Sequence, residues 1–331
     1  MSGLYTLILA MPMSNKGIVL ISVLLIVLML SAISVSIGKY YFLSFQREGY
    51  VDFQSNAIQY IGNIEILALK EVTRELRLSK KYMAKDNILL NNPFGIEIEN
   101  GLVSAKLSDA SDCFNVNSLY DHKDQKYLIN TKAVEGFKRL LRILEYEDNV
   151  IDSLTDQVLD WIDSDNEPRS NGLEDYYYIG PMHTTKQFTA KRFFYHLSEI
   201  RSLPASKNIN WQVFQEHFCV YPNLGDYKIN INLLQLNNSI LLASIIPDLT
   251  IDQAEVLISE IPLEGFKSIS ELYTAFPNIN FNQSYLPISL TTELLLLRSD
   301  LSSNEYSASA TAIINFKNNK ATILSRFYNG I

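Results

Sequence analysis

From Gly17 through Gly38 the chain carries no charged residue. Its centre, Ile18–Leu30, is almost wholly apolar, and about 20 such residues span a bilayer as a helix. A helical stripe continues beyond it: Phe53, Ala57, Ile61, Ile64, Ala68, Val72 and Leu76 recur in steps of three and four. Glu65, Lys70, Arg74 and Arg77 fall off that stripe. The pattern predicts one helix from Ile18 to about Leu78, with a lipid-facing half and a core-packing half. The period then drops to two. Phe94–Glu99 alternates, Asn100-Gly101 is a strong hairpin signal, and Val103, Ala105 and Leu107 alternate on the return. Near the other end Ala312, Ile314 and Phe316 alternate, Asn318-Asn319 turns, and Ala321, Ile323, Ser325 and Phe327 come back. A small antiparallel sheet packed on the long helix is expected.

Between these strands the helical period returns. Val134, Phe137, Leu140, Leu141 and Leu144 form one stripe, and Ile151, Leu154, Val158 and Ile162 another. Leu241, Leu242, Ile245 and Ile246 precede Pro247, and Ala254, Leu257, Ile258 and Ile261 follow it. The fold class is therefore α+β, with a large all-α insert in a helix-and-sheet frame. There is no low-complexity linker and no repeat of solenoid length.

Lys16 precedes the apolar run, and a positive flank stays in the cytoplasm. The rest of the chain is then placed outside. Residues 1–12 are also largely apolar, so either Met1 or Met13 is the start. A net charge of -8 and a pI of about 5.1 argue against a nucleic-acid surface, which needs concentrated Lys and Arg. Cys113 and Cys219 form no CxxC pair or Cys/His cluster. In an exported chain they read as one disulfide, in a reduced one as two buried thiols. His122, His183, His196 and His217 are scattered, with no HExxH pair and no GxSxG elbow. Nothing supplies a nucleophile or an oxyanion donor, so the chain is expected not to be an enzyme.

The segment Asp160–Asp175 concentrates oxygen ligands. With Asp163 as the first position of an EF-hand-like loop, Asp165, Glu167, Asn171 and Glu174 take the third, fifth, ninth and twelfth, and the Arg169 carbonyl the seventh. Pro168 stands where an EF-hand needs Gly, so the backbone must differ. Crowded carboxylates repel one another, and a cation relieves that repulsion. The alternative is a solvated acidic turn. Magnesium suits such crowding poorly, so calcium is the expected ion.

Lys16-Gly17 before an apolar helix resembles a type IV prepilin leader, which implies cleavage by a prepilin peptidase between Gly17 and Ile18. Members of that family usually carry Glu at the fifth mature position; here it is Ser22. Asp-Trp-Ile-Asp-Ser-Asp-Asn-Glu-Pro (160–168), running into Gly172-Leu173-Glu174-Asp175-Tyr176, closely resembles the hallmark of type II secretion system protein K. So do Phe114–Leu119, Leu197–Arg201 and Ile229–Asn232. The resemblance runs in order over nearly the whole chain. It implies a type IV pilin-like fold with an inserted helical domain of helix-hairpin-helix (SAM-like) type. The expected divisions are a leader at 1–17, a transmembrane helix at 18–38, pilin-like parts at 39–121 and 223–331, and the insert at 122–222. It further implies bound calcium, two ions in all, with Asp163, Asp165, Glu167, Glu174 and Asp175 as candidate ligands and the second ion not placed. The implied partners are the I- and J-type minor pseudopilins, the major pseudopilin filament and the inner membrane, with the bulk of the chain in the periplasm. The implied role is a minor pseudopilin at the pseudopilus tip. The competing reading takes residues 229–272 as a DNA-binding helix-hairpin-helix of competence type. Lys267 is the lone nearby cation there, against Asp252, Glu255, Glu260, Glu264 and Glu271, so no nucleic acid is expected.

Overall fold

A computed structural model describes residues 16–78, 82–98, 101–123, 126–182, 184–221, 227–303 and 306–329. Residues 1–15 of the expected leader, with both candidate start positions, lie outside the described residues, as do Asn100 and His183. The chain divides into two compact units, Met1–Ile58 and Gln59–Ile331.

Helix α1 spans Lys16–Leu78. Within the first unit its apolar side chains from Ile18 to Phe45 are exposed, as a lipid-facing surface requires. At Ser22 the hydroxyl donates to the Val19 carbonyl at 2.9 Å, so its hydrogen bond stays within the helix. In the second unit Ile61, Ile64, Ala68, Val72 and Leu76 are buried. Glu65, which falls off that stripe, is nevertheless buried. It is 1% exposed and meets Arg326 in a two-pronged ion pair, Nε donating to Oε1 at 2.7 Å and Nη2 to Oε2. The stripe alone cannot show a cation waiting on a strand far along the chain.

The main sheet has five antiparallel strands in sequential order: β1 Phe94–Ile98, β2 Gly101–Asp109, β3 Leu294–Ser303, β4 Ser307–Lys317 and β5 Lys320–Asn329. The β4–β5 turn places Asn318 and Asn319 at φ 54° and 61°, the left-handed region asparagine tolerates. Arg77 donates to the Asn319 carbonyl at 2.8 Å and the Ala321 N–H to Thr73 Oγ1 at 3.1 Å, so β5 lies against the second unit's part of α1. Strand β3, in the centre, was not foreseen. It pairs with β2 from Gly101↔Ser303 to Asp109↔Leu295. Everything from 110 to 293 is thus an excursion between two neighbouring strands, leaving and returning at adjacent points.

That excursion contains two modules built alike. In the first, Phe114–Asn115 pairs in parallel with Phe218–Cys219. Helices α2 (Thr131–Ile143) and α3 (Asp148–Ile162) follow, joined through Glu145 at φ 63°. In the second, Ile229–Asn230 pairs in parallel with Ile288–Ser289. Helices α4 (Ser239–Ile245) and α5 (Ile251–Ser259) follow, joined through Asp248 at φ 61°. Each module is locked by a buried asparagine that grips the backbone of a phenylalanine. Asn117 accepts from the Phe194 N–H at 2.9 Å and donates to its carbonyl at 2.9 Å. Asn232 does the same to Phe266 at 2.8 and 2.9 Å. The seven residues from each phenylalanine match in kind: Phe-Tyr-His-Leu-Ser-Glu-Ile (194–200) and Phe-Lys-Ser-Ile-Ser-Glu-Leu (266–272). In both, the glutamate accepts from backbone N–H groups before the turn it caps. One core runs through both modules, from Phe114, Phe137 and Leu154 to Leu242 and Leu257.

The modules differ in what connects the second helix to the gripped phenylalanine. The second uses 260–265, a tight turn with Gly265 at φ 68°. The first uses 163–193, which forms little regular structure beyond the single turn Asp175–Tyr178. Pro168, Gly172, Gly180 and Pro181 interrupt any helical run there, so the insert is less uniformly helical than expected.

Candidate metal centre

Three carboxylates converge where the long connection leaves α3. Asp160 sits in the last turn of α3, Asp163 caps its C-terminus, and Glu174 stands at the N-cap of Asp175–Tyr178. All three are buried, and each offers an oxygen within 4.8 Å of the others. Spacing of three residues in a helical turn puts Asp160 and Asp163 on one face, and the chain reversal after Pro168 brings Glu174 back to them. Gly172 makes this approach possible. A Cβ there would stand 1.8 Å from Asp160 Oδ2.

Arg169 is the cation bonded to the cluster among the described residues. The Arg169 guanidinium bonds Asp160 Oδ1, reaches Asp163 Oδ2 at 2.7 Å and donates to the Tyr120 hydroxyl at 2.9 Å. Tyr120 in turn donates to Asp163 Oδ2 at 3.1 Å. The Arg169 backbone N–H donates to Asp160 Oδ2 at 3.2 Å. Two oxygens have no hydrogen-bond partner, Asp163 Oδ1 and Glu174 Oε1. Burial, then the neighbouring charges of Asp163 and Asp160, push Glu174 up to about 7. Burial also raises Asp160, although its bonds to Arg169 oppose the rise. The Arg169 guanidinium is bonded to two of the three carboxylates and Lys191 adds one favourable charge beside Glu174, so with all three ionised the buried cluster is short of positive charge. Buried charge is costly unless paired or bound to a metal. Orphaned oxygens, convergent carboxylates and a shortage of positive charge fit a divalent cation bound by hard oxygen ligands.

The structure gathers Asp163 and Glu174 from the residues that spacing singled out, and adds Asp160. Asp165 and Glu167 are exposed, and Asp165 Oδ1 accepts from the Glu167 N–H at 2.9 Å. The Arg169 carbonyl accepts from the Gly172 N–H at 3.0 Å. Asn171 donates to Asp156 Oδ2 from its backbone at 3.0 Å and its side chain at 3.3 Å. Asp175 accepts from the Thr189 N–H at 2.8 Å and hydroxyl at 2.7 Å, with Lys191 at 3.5 Å. Burial pushes Asp175 upward, but these Thr189 and Lys191 contacts outweigh it and hold the carboxyl below its ordinary value. Asp160 was missed because it reads as one polar position within the α3 stripe; its spacing from Asp163 was the available signal.

Cys113 and Cys219 are joined, with Cα atoms 5.8 Å apart. The bond lies beside the Asn115↔Cys219 pairing and so ties the beginning of the first module to its end.

A family model described as type II secretion system, protein K, matches residues 112–223, the first module from end to end. Type II secretion system protein K of Pectobacterium carotovorum subsp. carotovorum is 26% identical over 70% of this chain and 72% of its own length. That of Aeromonas hydrophila is 24% identical over 95% of this chain and 97% of its own. The chain is similar over most of its length to type II secretion system protein K. Those relatives are by name components of the type II secretion system. A solved structure, the GspK-GspI-GspJ complex from enterotoxigenic Escherichia coli, matches with a TM-score of 0.72. The match covers 86% of this chain and 99% of that one at 20% identity, a likeness of fold. The apolar helix α1 is consistent with a membrane anchor in a pseudopilin.

Proposed function

We propose that this chain is a minor pseudopilin of the protein K type, which sits at the tip of the pseudopilus and initiates or caps the filament. A prepilin peptidase releases the leader between Gly17 and Ile18. The segment 18–38 then holds the subunit as a single span in the inner membrane, with the remaining chain in the periplasm, until assembly. Its partners are the I- and J-type minor pseudopilins and, below them, the major pseudopilin filament. Support for these partners comes from the Escherichia coli complex, in which a chain of the same fold is joined to GspI and GspJ. The observation that carries the tip position is Ser22. A carboxylate inside a bilayer is costly unless paired. A subunit with a neutral residue there, its hydroxyl bonded within its own helix, needs no partner ahead of it. In this reading 39–121 and 223–331 form the pilin-like head, the latter carrying the second helical module as well as the C-terminal strands, and 122–222 is the bulk that blocks further packing on one side.

Asp160, Asp163 and Glu174 hold one calcium ion, which neutralises the cluster and fixes the long connection of the first module. A second ion, implied by the family, is not placed. The test of the tip position is a secretion assay in a strain carrying only Ser22→Glu or a neutral control, Ser22→Ala. Secretion is expected to fall with the first and persist with the second. Undiminished secretion with Ser22→Glu contradicts the charge argument.

A further inference from the structure

The two modules share a helix-pair turn, but they fill the space beside it differently. In the first, the residue after the left-handed Glu145 is Tyr146. Its ring crosses to the segment that follows the gripped phenylalanine, where its hydroxyl accepts from the Asn210 N–H at 3.1 Å. In the second, the corresponding residue after Asp248 is Leu249, too short to make that crossing and without a hydroxyl. A groove of 510 Å³ lies open at that place. Its apolar lining comes from Ile246, Leu249, Leu257, Phe276 and Ile279, with Val256 exposed, beside amides such as Gln253 and Asn280. Its rim carries Asp248, Asp252 and Glu260, all exposed. No Lys, Arg or His lines it among the described residues.

We propose that this groove is a docking site for a partner segment that inserts an aromatic side chain flanked by Lys or Arg. The first module shows which shape closes such a space: a tyrosine whose ring packs between the helix-pair turn and the following segment. The three rim carboxylates select the flanks, since opposite charge steers encounter and like charge suppresses wrong partners. A second copy of this chain is a poor occupant, because its own net charge is -8. The site is separate from the acidic cluster and does not depend on the tip assignment.

The test uses the full chain in nanodiscs of zwitterionic lipid, with empty discs as the blank. The probe is a fluorescein-labelled short peptide with a tyrosine-leucine core and lysines on both sides, followed by anisotropy. Saturable binding is expected, weakened by added salt because the rim is solvent-exposed. It is expected to weaken about tenfold in Asp252→Asn/Glu260→Gln, since two of the three rim carboxylates lose their charge. Leu249→Tyr, which supplies an internal plug, is expected to abolish it. Thermal melting shows that each variant is folded; should Leu249→Tyr fail to fold, the rim variant decides. Equal binding of a glutamate-flanked peptide, undiminished binding to the rim variant, or no saturable binding overturns the proposal. Self-association of the wild type that the rim variant abolishes would assign the groove to a second copy and overturn it too.

Discussion

The first and second helical modules solve one folding problem with different means. Both start from a short parallel strand pair, run through two helices joined at a left-handed residue, and close with an asparagine gripping a phenylalanine backbone. The second closes with a six-residue turn in which Gly265 supplies the positive φ. Its closure needs only local geometry. The first bridges equivalent points with residues 163–193, too long and too interrupted to hold itself by backbone bonding. It relies on a buried cluster that is short of positive charge, and on a disulfide joining the ends of the module. A long connection inside a compact fold pays in ordering entropy, and an ion or a covalent staple is a means of offsetting that cost.

The comparison breaks most decisively at what the modules share. Asn117→Ala and Asn232→Ala each strand a buried N–H and a carbonyl, and loss of a partner costs about 1–3 kcal/mol per buried group. Each variant is expected to lose about 3 kcal/mol in denaturant unfolding. A loss confined to one of them would show that the two grips are not equivalent.

A smaller effect separates the connections. Gly265→Ala forces a side chain into φ 68° and brings its Cβ to 2.7 Å from both Ala84 and Asn232. A cost of about 2 kcal/mol is expected, independent of any metal. Gly172→Ala instead presses on a carboxylate that can move, so its main effect is expected on cation affinity, a loss of about tenfold. Melting curves with and without calcium distinguish the two. A calcium-dependent Gly265→Ala defect would contradict the division of labour between the modules.

The smallest effect is in pH. Glu174 has a folded-state value of about 7, above its ordinary carboxyl value. Without metal, the folded state therefore binds more protons across that interval, and stability falls as pH rises through it. Glu174→Gln is expected to be at least as stable as wild type at pH 8 by about 1 kcal/mol, and to flatten this dependence. Its calcium affinity should fall at the same time. Glu65→Gln is the contrasting control. Its carboxylate is matched by Arg326, so the same change there is expected to destabilise.

How much of this was legible beforehand depends on the range of each interaction. The α1 span, the terminal hairpin and its Asn318-Asn319 turn are local patterns and were readable. Strand β3 was not. Its Leu294–Leu297 run shows no alternation, and its partner β2 lies across the whole excursion. The burial of Glu65 was not readable, because Arg326 is distant in sequence. The acidic segment was visible as a ligand-rich loop, but spacing could not show that Asp165, Asn171 and Asp175 have other partners, or that Asp160 turns inward. The paired modules escaped a search for periodicity because 163–193 destroys any fixed repeat, although the Asn-x-Asn and Ser-Glu steps recur in both.

The most direct test is a calorimetric titration of calcium into the detergent-solubilised full chain, with thermal melting, for wild type and Asp163→Asn/Glu174→Gln. Saturable binding is expected in the wild type, with a rise in melting temperature worth about 2.7 kcal/mol at a hundredfold excess over Kd. The double variant should lose one ion and that stabilisation while remaining folded. Identical binding by both proteins, or no binding by the wild type, would contradict the claim that a divalent cation completes the buried cluster of the first module.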